Sequence, residues 1–251
     1  MPPRRTPKKK SSPRRAAPTL TTLAGALEAL EQRGTNANRL GLARYGITAP
    51  KAFGVPMTAI QALAKLTGKS HPLALELWKS GWYEARLLSC FVAEPERVTA
   101  PLMDRWAKDF DNWAVCDTAC FHLFDRTPLA FAKIDAWSKS DAEFVKRGAF
   151  ALLASVALHD RALPDAAFAR SFVLIERAAT DPRNFVKKAV LWALRGVGGR
   201  SPALNEKAVA CAKKLVSSDD QTSRWIGKSA LRELTSPAAR RRLATQRAKK
   251  K

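Results

Sequence analysis

A single acidic side chain lies among apolar neighbours in the run that follows Asp111. No Gly or Pro interrupts this run, and Asp111 is a suitable N-cap residue, so the sequence predicts a helix. On that helix the spacing i, i+4, i+7 and i+11 places four side chains on one stripe: Trp113, Asp117, Cys120 and Phe124. A carboxylate at Asp117 beside the indole of Trp113 could stabilise positive charge that develops on a substrate. The alternative is a structural Asp that caps a turn or pairs with a nearby Arg.

Basic residues outnumber acidic ones and are concentrated at the two ends of the chain. The 251 residues include 44 Lys and Arg against 22 Asp and Glu, a formal net charge of +22. Residues 1–18 and 240–251 each carry seven basic groups and no acid, which leaves about +8 for the rest of the chain. This balance favours a polyanionic partner, most often nucleic acid, although basic ends that only confer solubility are the alternative. Neither end has the apolar face that an interfacial membrane helix needs.

Cysteine, histidine and hydropathy patterns limit the class of protein. The four cysteines form no CxxC pair and only three histidines occur, so we expect no metal site and no cofactor. The cysteines lie in apolar runs, as is typical of reduced core thiols in a cytosolic protein. No stretch reaches the roughly 18 apolar residues of a membrane span, and no secretory signal opens the chain. We therefore expect a cytoplasmic protein that associates with the nucleoid through DNA.

Helical periodicity extends through the body of the chain, without the two-residue alternation that indicates strands. We predict a disordered basic arm over 1–18, a helical domain over 19–236 and a disordered basic C-terminal tail over 237–251. Thr19 or Thr21 is expected to cap the first helix. The predicted helices cover about residues 20–30, 36–45, 58–67, 71–80, 82–92, 95–109, 112–124, 128–138, 141–158, 164–179, 183–196, 202–217 and 221–235. The sequence thus predicts an all-α fold.

A weak internal repeat indicates which all-α architecture to expect. The segment FVKRGA at 144–149 is echoed by FVKKAV at 185–190 and by WIGKSA at 225–230, with offsets of 41 and 40 residues. This period matches HEAT or armadillo helix pairs, which stack into an α-solenoid, although chance similarity among Ala-rich helices is the alternative. A basic residue recurs at one position of each segment, and these residues would form a ladder facing a nucleic-acid duplex: Arg147, Lys188 and Lys228. A solenoid with capped ends needs no partner subunit, so we expect a monomer.

Three motifs, in this order and at this spacing, carry a resemblance to a known family. They are FGVP at 53–56, DNWAVCD at 111–117 and FVKKAVLWALR at 185–195. Together they resemble the AlkD-type DNA alkylation repair family, and the likeness covers roughly residues 20–236. The resemblance implies a fold of HEAT-like repeats and an activity that excises N3- and N7-alkylated purines from duplex DNA. The basic ends are a departure from the compact pattern of that family.

The resemblance also implies roles for individual residues. The family site consists of two tryptophans, an aspartate and an arginine, which fall by motif match on Trp113, Trp192, Asp117 and Arg147. Tyr45 lies near the region where the family can place a further aromatic against DNA. An alkylated purine is cationic and leaves readily, so Asp117 would stabilise the oxocarbenium-like sugar and orient water, while the two indoles would contact the deoxyribose. Arg147 would bind a backbone phosphate.

Each of these residues also has a purely structural interpretation. Trp113 and Trp192 lie in apolar runs and could be core residues, and Arg147 could be a solvated charge or a partner of Asp117. Three functions therefore remain: a glycosylase acting on duplex DNA with alkylated purines, a non-catalytic HEAT-repeat nucleic-acid binder, and a protein-interaction scaffold. No base-binding motif is present, so for a glycosylase we expect bulky adducts to be tolerated as well as methyl groups.

Overall fold

The computed structural model describes residues 19–248, and within this range the chain is helical and contains no strand. Short 3-10 turns join some of the helices, among them Leu42–Tyr45 and Phe124–Arg126. The α-helices in chain order are α1 Leu23–Glu31, α2 Asn36–Gly41, α3 Met57–Thr67, α4 His71–Lys79, α5 Tyr83–Val92, α6 Ala100–Lys108, α7 Trp113–His122, α8 Ala130–Trp137, α9 Glu143–His159, α10 Ser171–Ala178, α11 Asn184–Gly198, α12 Pro202–Val216, α13 Gln221–Leu234 and α14 Pro237–Ala248. The all-α prediction is confirmed.

The helices from α4 onward stack in two layers. The odd-numbered helices α5, α7, α9, α11 and α13 pack one against the next, and α4, α8, α10 and α12 each pack against the odd-numbered helix that follows. Two-helix units of this kind bury their apolar faces only by stacking on their neighbours, which is the construction of an α-solenoid. The predicted HEAT-like architecture is confirmed.

The repeated sequence segments fall on three successive odd-numbered helices. The segments 144–149 and 185–190 both begin at the second residue of their helices, α9 and α11, whereas 225–230 begins at the fifth residue of α13. The first two units therefore share one helical register. In the third unit the segment begins about one turn further into its helix.

Small residues allow α9 and α11 to approach closely at the centre of the stack. A Cβ atom added to Gly196 would lie 3.4 Å from the Cα of Ala154, so the two backbones are nearly in contact there. In α9 every residue from Arg147 to Ala157 is buried, and a helix that is apolar all round lies in the core of a protein. This packing fixes the position of α9 relative to α11.

A buried carboxylate anchors the FGVP segment to α5. Glu84 is fully buried and accepts hydrogen bonds from the backbone N–H groups of Phe53, Gly54 and Val55 at 3.0, 2.6 and 3.1 Å. Gly54 has φ +80°, and a Cβ atom there would lie 2.2 Å from the carbonyl oxygen of Thr35. The glycine therefore lets this segment pass against the cap of α2, which leads to the turn that carries Tyr45.

The ends of the chain differ in part from the sequence prediction. Helix α14 extends over Pro237–Ala248, where a disordered tail was predicted, because Ala239 and Leu243 bury apolar side chains while the helix lies against α12 and α13. The first helix is capped by Thr22 and not by Thr19 or Thr21. The basic arm 1–18 and residues 249–251 lie outside the described range. No helix within that range is long and apolar enough to cross a membrane.

Candidate functional site

Helix α7 carries the acidic side chain, and its first turn is fixed by Asn112. The Asn112 side chain accepts a hydrogen bond from the N–H of Val115 at 3.0 Å, as an N-cap residue does. The expected cap, Asp111, has other partners: its carboxylate accepts from the Asn112 amide at 2.7 Å and pairs with Arg86 at 3.3 Å. Asp111 thus ties the start of α7 to α5, while Asn112 starts the helix.

The side chains that α7 presents at the surface of the stack differ from the predicted stripe. Cys120 and Phe124 are fully buried, and the helix ends before Phe124. Trp113, Asp117 and Phe121 are half-buried instead, at spacing i, i+4 and i+8. The carboxylate of Asp117 therefore lies between two aromatic side chains of its own helix.

Asp117 forms a bidentate ion pair with Arg147 of α9. The Arg147 Nε donates to Asp117 Oδ1 at 2.9 Å and Nη2 donates to Oδ2 at 2.6 Å, while Nη1 donates to the carbonyl oxygen of Phe185 at 2.8 Å. The Asp117 side chain is 17% exposed and that of Arg147 is 8% exposed. Arg147 was predicted to bind a phosphate; in the structure its guanidinium is buried, and three of its five N–H groups bond to these two partners.

Burial and pairing act in opposite directions on the two charges. Burial raises the pKa of the Asp117 carboxyl above its ordinary value, and the charge and hydrogen bonds of Arg147 oppose this rise. Burial also disfavours the charged form of Arg147, but the nearby Asp117 carboxylate raises the pKa of Arg147 overall. Arg147 therefore remains charged, and Asp117 is the member of the pair whose charge responds to pH.

A cleft of about 510 Å³ opens in front of this pair. Asp117 and Arg147 form its base. The walls come from the turn after α2, from Trp113 and from the first turn of α11, and they include Arg44, Tyr45, Gly46, Asn184, Phe185 and Lys188. Arg44, Tyr45 and Lys188 are exposed. Two exposed basic side chains and three aromatic rings thus surround the carboxylate, which suits a substrate that carries phosphates and a flat or cationic group.

A second cleft, of about 620 Å³, lies on the other side of Trp113. It is lined mainly by apolar residues of α2, α3, α5 and the FGVP segment, and Asp117 and Thr118 lie at its margin. Trp113 and Tyr45 line both clefts, and the Trp113 indole Nε1 donates to the carbonyl oxygen of Tyr45 at 2.8 Å. Asp117 consequently borders both a polar, basic cleft and a largely apolar one.

Comparison with known proteins identifies the family. A family model described as "DNA alkylation repair enzyme" matches residues 26–234, which is most of the chain. The chain belongs to the DNA alkylation repair enzyme family. A solved structure is also similar, described as "A new family of proteins related to the HEAT-like repeat DNA glycosylases with affinity for branched DNA structures". It matches with a TM-score of 0.72 and 21% identity, over 88% of this chain and 96% of that chain. No curated protein matches the sequence.

The second predicted tryptophan of this DNA alkylation repair family member lies apart from the acidic cleft. Trp192 stacks on Phe121, with ring centroids 4.7 Å apart and planes inclined by 9°. It lines a third cleft, of about 260 Å³, rather than the one that contains Asp117. Phe121 lies one turn beyond Asp117 on α7, so Trp192 packs on the next turn of the helix that carries the acid, without lining the cleft in front of it.

The predicted basic ladder is present only in part. Lys188 is exposed and lines the cleft in front of Asp117, whereas Arg147 is paired with Asp117. Lys228 is exposed on α13 but lines none of these three clefts. The structure therefore brings together Trp113, Asp117, Arg147, Lys188 and Tyr45, and it leaves Trp192 and Lys228 outside that group.

Sequence analysis missed several residues of the site. Phe121 follows Asp117 by one turn, so the spacing i+4 could have identified it. Arg44 adjoins Tyr45 in the sequence, and Phe185 opens one of the repeated segments, yet no local pattern linked either to Asp117. Arg44 and Phe185 are each about 70 positions from Asp117 in the sequence, and they line the same cleft only because the repeats stack.

Proposed function

We propose that this protein is a DNA glycosylase that excises cationic N3- and N7-alkylated purines from duplex DNA. The observation that carries the proposal is the position of Asp117, a carboxylate at the base of a basic cleft it shares with Trp113 and Tyr45. Membership of the DNA alkylation repair family supports the same reaction. The protein would act wherever it meets the DNA, in the cytoplasm and its nucleoid, as a monomer.

The proposed chemistry needs one anion and no general acid. An alkylated N3 or N7 gives the purine a positive charge, so the base departs as a neutral molecule. The glycosidic bond breaks with its electron pair moving to the base, which leaves an oxocarbenium-like deoxyribose. Asp117 stabilises that charge and orients the water that adds to the anomeric carbon. The indole of Trp113 faces the same cation.

Arg147 acts in this proposal as a positioning residue. Each carboxylate oxygen has two lone pairs, and Arg147 occupies one on each oxygen, so both oxygens can still accept from water. The pair fixes the carboxylate plane, and the adjacent positive charge favours its ionised form against the effect of burial. Phosphate binding falls to the exposed cations Lys188 and Arg44, with Lys228 further along the stack.

The test is release of base from duplex DNA containing N7-methylguanine, measured against the rate without protein. We expect wild type to release the base and Asp117→Asn to lose roughly 10²- to 10³-fold in single-turnover rate. The matched control is Asp111→Asn, the same change at an acid that binds Arg86, which should keep the wild-type rate. The wild-type rate should rise with pH through a pKa above that of an ordinary Asp, because only the ionised carboxylate is active. Equal rates for wild type and Asp117→Asn would overturn the assignment.

A second candidate function is non-catalytic binding of DNA. The observation that favours it is the bidentate pair itself, since Arg147 neutralises the charge that the reaction would use. The structurally similar protein is described as having affinity for branched DNA. Under this alternative the wild-type protein binds duplex DNA with a steep salt dependence and releases no base. A partner-protein scaffold would show neither property.

A further inference from the structure

A buried carboxylate holds a histidine at the end of α9. Asp125, in the 3-10 turn that follows α7, has a fully buried side chain. Its Oδ2 accepts from the Ser155 hydroxyl and from His159 Nδ1, both at 2.5 Å. The other oxygen, Oδ1, is buried and has no hydrogen-bond partner. Because a carboxylate only accepts, this contact keeps a proton on His159 Nδ1 and leaves Nε2 on the far side of the ring.

Asp125 needs a positive partner, and His159 is placed to be that partner. Among residues 19–248 no other cation pairs with Asp125, and a carboxylate removed from water is costly without one. His159 is also the last residue of α9, where the helix dipole favours a positive charge. A buried pair of this kind stabilises a fold no better than apolar side chains of the same volume, so a use other than stability is expected.

His159 lies on the surface that carries the other site residues. Its side chain is 43% exposed, and Nε2 has no hydrogen-bond partner within the part of the chain that the structure describes. The ring packs edge-on against Phe121, with centroids 5.4 Å apart and planes at 84°. Phe121 shares one face of α7 with Trp113 and Asp117. An extended ligand that covers Asp117 can therefore continue to His159.

The surroundings of His159 are basic. Arg126 and Arg161 are exposed, and neither forms an ion pair with a described residue. His122 lies in the same patch, with its ring 4.4 Å from that of Phe91. Burial and then the positive charge of Arg126 lower the pKa of His122, so His122 is neutral at pH 7. The patch thus attracts anions, and it contains one histidine with a carboxylate partner and one without.

We propose that the His159 imidazolium donates from Nε2 to one backbone phosphate of bound duplex DNA, with Asp125 as its positioning residue. Phe121 lies about 6 Å along α7 from Asp117, and the phosphates of one strand advance by about 3.4 Å per nucleotide. The phosphate at His159 therefore lies within a few nucleotides of the sugar at Asp117. The inference rests on DNA as the partner named in the proposed function, but it needs only binding and no base release.

A histidine contact makes the affinity for DNA depend on pH. Histidine ordinarily changes charge between about pH 5 and pH 8, and only the protonated ring brings a positive charge to the phosphate, so affinity falls as pH rises. Ordinary carboxyl groups titrate below this range and arginine above it. The third histidine, His71, is buried in α4. The charged and titratable groups around His159 come from the turn, α7, the end of α9 and α11, and they are Asp125, Arg126, His122, Arg161 and Arg195.

The test measures binding of an undamaged duplex over a series of pH values and salt concentrations. At about pH 6, His159→Gln should weaken binding roughly three- to tenfold and reduce the slope of log K against log salt by about 0.9, the loss of one phosphate contact. His159→Lys keeps a cation beside Asp125, so it should keep the wild-type slope while its binding depends less on pH. Asp125→Asn should move the fall in affinity to lower pH, because the imidazolium loses its charged partner.

The matched control is His122→Gln, the same change at the histidine without a carboxylate partner. It should keep the wild-type affinity, salt slope and pH dependence. If His159→Gln loses stability on melting, the pH dependence of His159→Lys decides. An unchanged salt slope in His159→Gln, or the full wild-type pH dependence in His159→Lys, would overturn the proposal. Base release is not measured here, so failure of the glycosylase assay would leave this result intact.

Discussion

At the scale of single residues, the Asp117–Arg147 pair dominates the chemistry of the site. Neither side chain has much access to water, and each satisfies hydrogen-bonding groups that burial would otherwise leave unpaired. The pair holds the carboxylate in one orientation in front of the cleft. Each charged side chain also depends on the other, because removing one would leave the other buried and unpaired.

Removing the cation should therefore cost more than removing an exposed one. We expect Arg147→Met to lower the free energy of unfolding at pH 7 by about 3–5 kcal/mol, because it leaves Asp117 buried and unpaired. Without Arg147 the pKa of Asp117 rises further, so the folded state of the variant binds a proton that the unfolded state releases. The deficit should then shrink as pH falls towards 5.

Urea denaturation at the two pH values measures both effects. The control is Lys188→Met, which removes an exposed cation from the same cleft and should change stability by less than about 0.5 kcal/mol. Equal stabilities for Arg147→Met and Lys188→Met would mean that the pair does not hold α7 to α9.

The sequence predicted that Asp117 and Trp113 lie side by side, because both belong to one helix and are separated by four residues. It also allowed Arg147 to pair with Asp117 but could not decide between that pair and a phosphate contact. The deciding factor is the packing of α7 on α9, which buries both side chains. Trp192 was predicted to belong to the same site as Asp117; in the structure it stacks on Phe121 and lines a different cleft.

At the scale of elements, the FGVP segment positions one wall of the site. Glu84 of α5 fixes its backbone, and Gly54 lets it pass the cap of α2. The sequence predicted only an irregular connector here, since Pro and Gly mark a break in helix. The acid that orders the connector is about 30 residues away and carries no local signal.

A glycine substitution tests this role. Gly54→Ala should destabilise the protein by clearly more than Gly81→Ala, although both positions have positive φ, +80° and +74°. Backbone strain costs each variant about 1–2 kcal/mol. Only at Gly54 does the new Cβ atom collide with backbone, at 2.2 Å from the oxygen of Thr35, while Gly81 has open space.

Thermal or urea unfolding gives the comparison directly. Because the displaced segment supports the turn that carries Tyr45, Gly54→Ala should also weaken duplex binding, and Gly81→Ala should not. A stability loss no larger at Gly54 than at Gly81 would show that the segment moves freely and does not position the wall.

At the scale of the whole molecule, the repeat period predicted the stack of helix pairs correctly, since a 40-residue echo is visible without knowledge of contacts. The period did not predict which side chains of successive units would share a cleft. That depends on the angle between units and on register, and in the third unit the repeated segment begins about one turn further into its helix than in the first two. Helix α14 was missed because its polar, basic composition resembles that of a solvated tail.

Charge at the N-terminal end should govern the salt dependence of DNA binding. Deleting residues 1–18 removes seven basic groups, so we expect the slope of log K against log salt to fall in magnitude by up to about six. The single-turnover rate of base release should stay nearly unchanged. A full-length variant with the seven basic residues changed to Gln should reproduce the smaller slope. A large loss of rate in either variant would mean that this segment does more than add affinity.

One guanidinium group joins three successive units of the stack: Arg147 belongs to α9, binds the acid on α7 and donates to the backbone of α11 at Phe185. Its three hydrogen bonds are 2.6–2.9 Å long, so how tightly the acid is held depends on the distances between all three helices. A change in the curvature of the superhelix on DNA would therefore change the length of at least one of these bonds. The reactivity of the carboxylate would in this way be set by the shape that the solenoid adopts on its DNA.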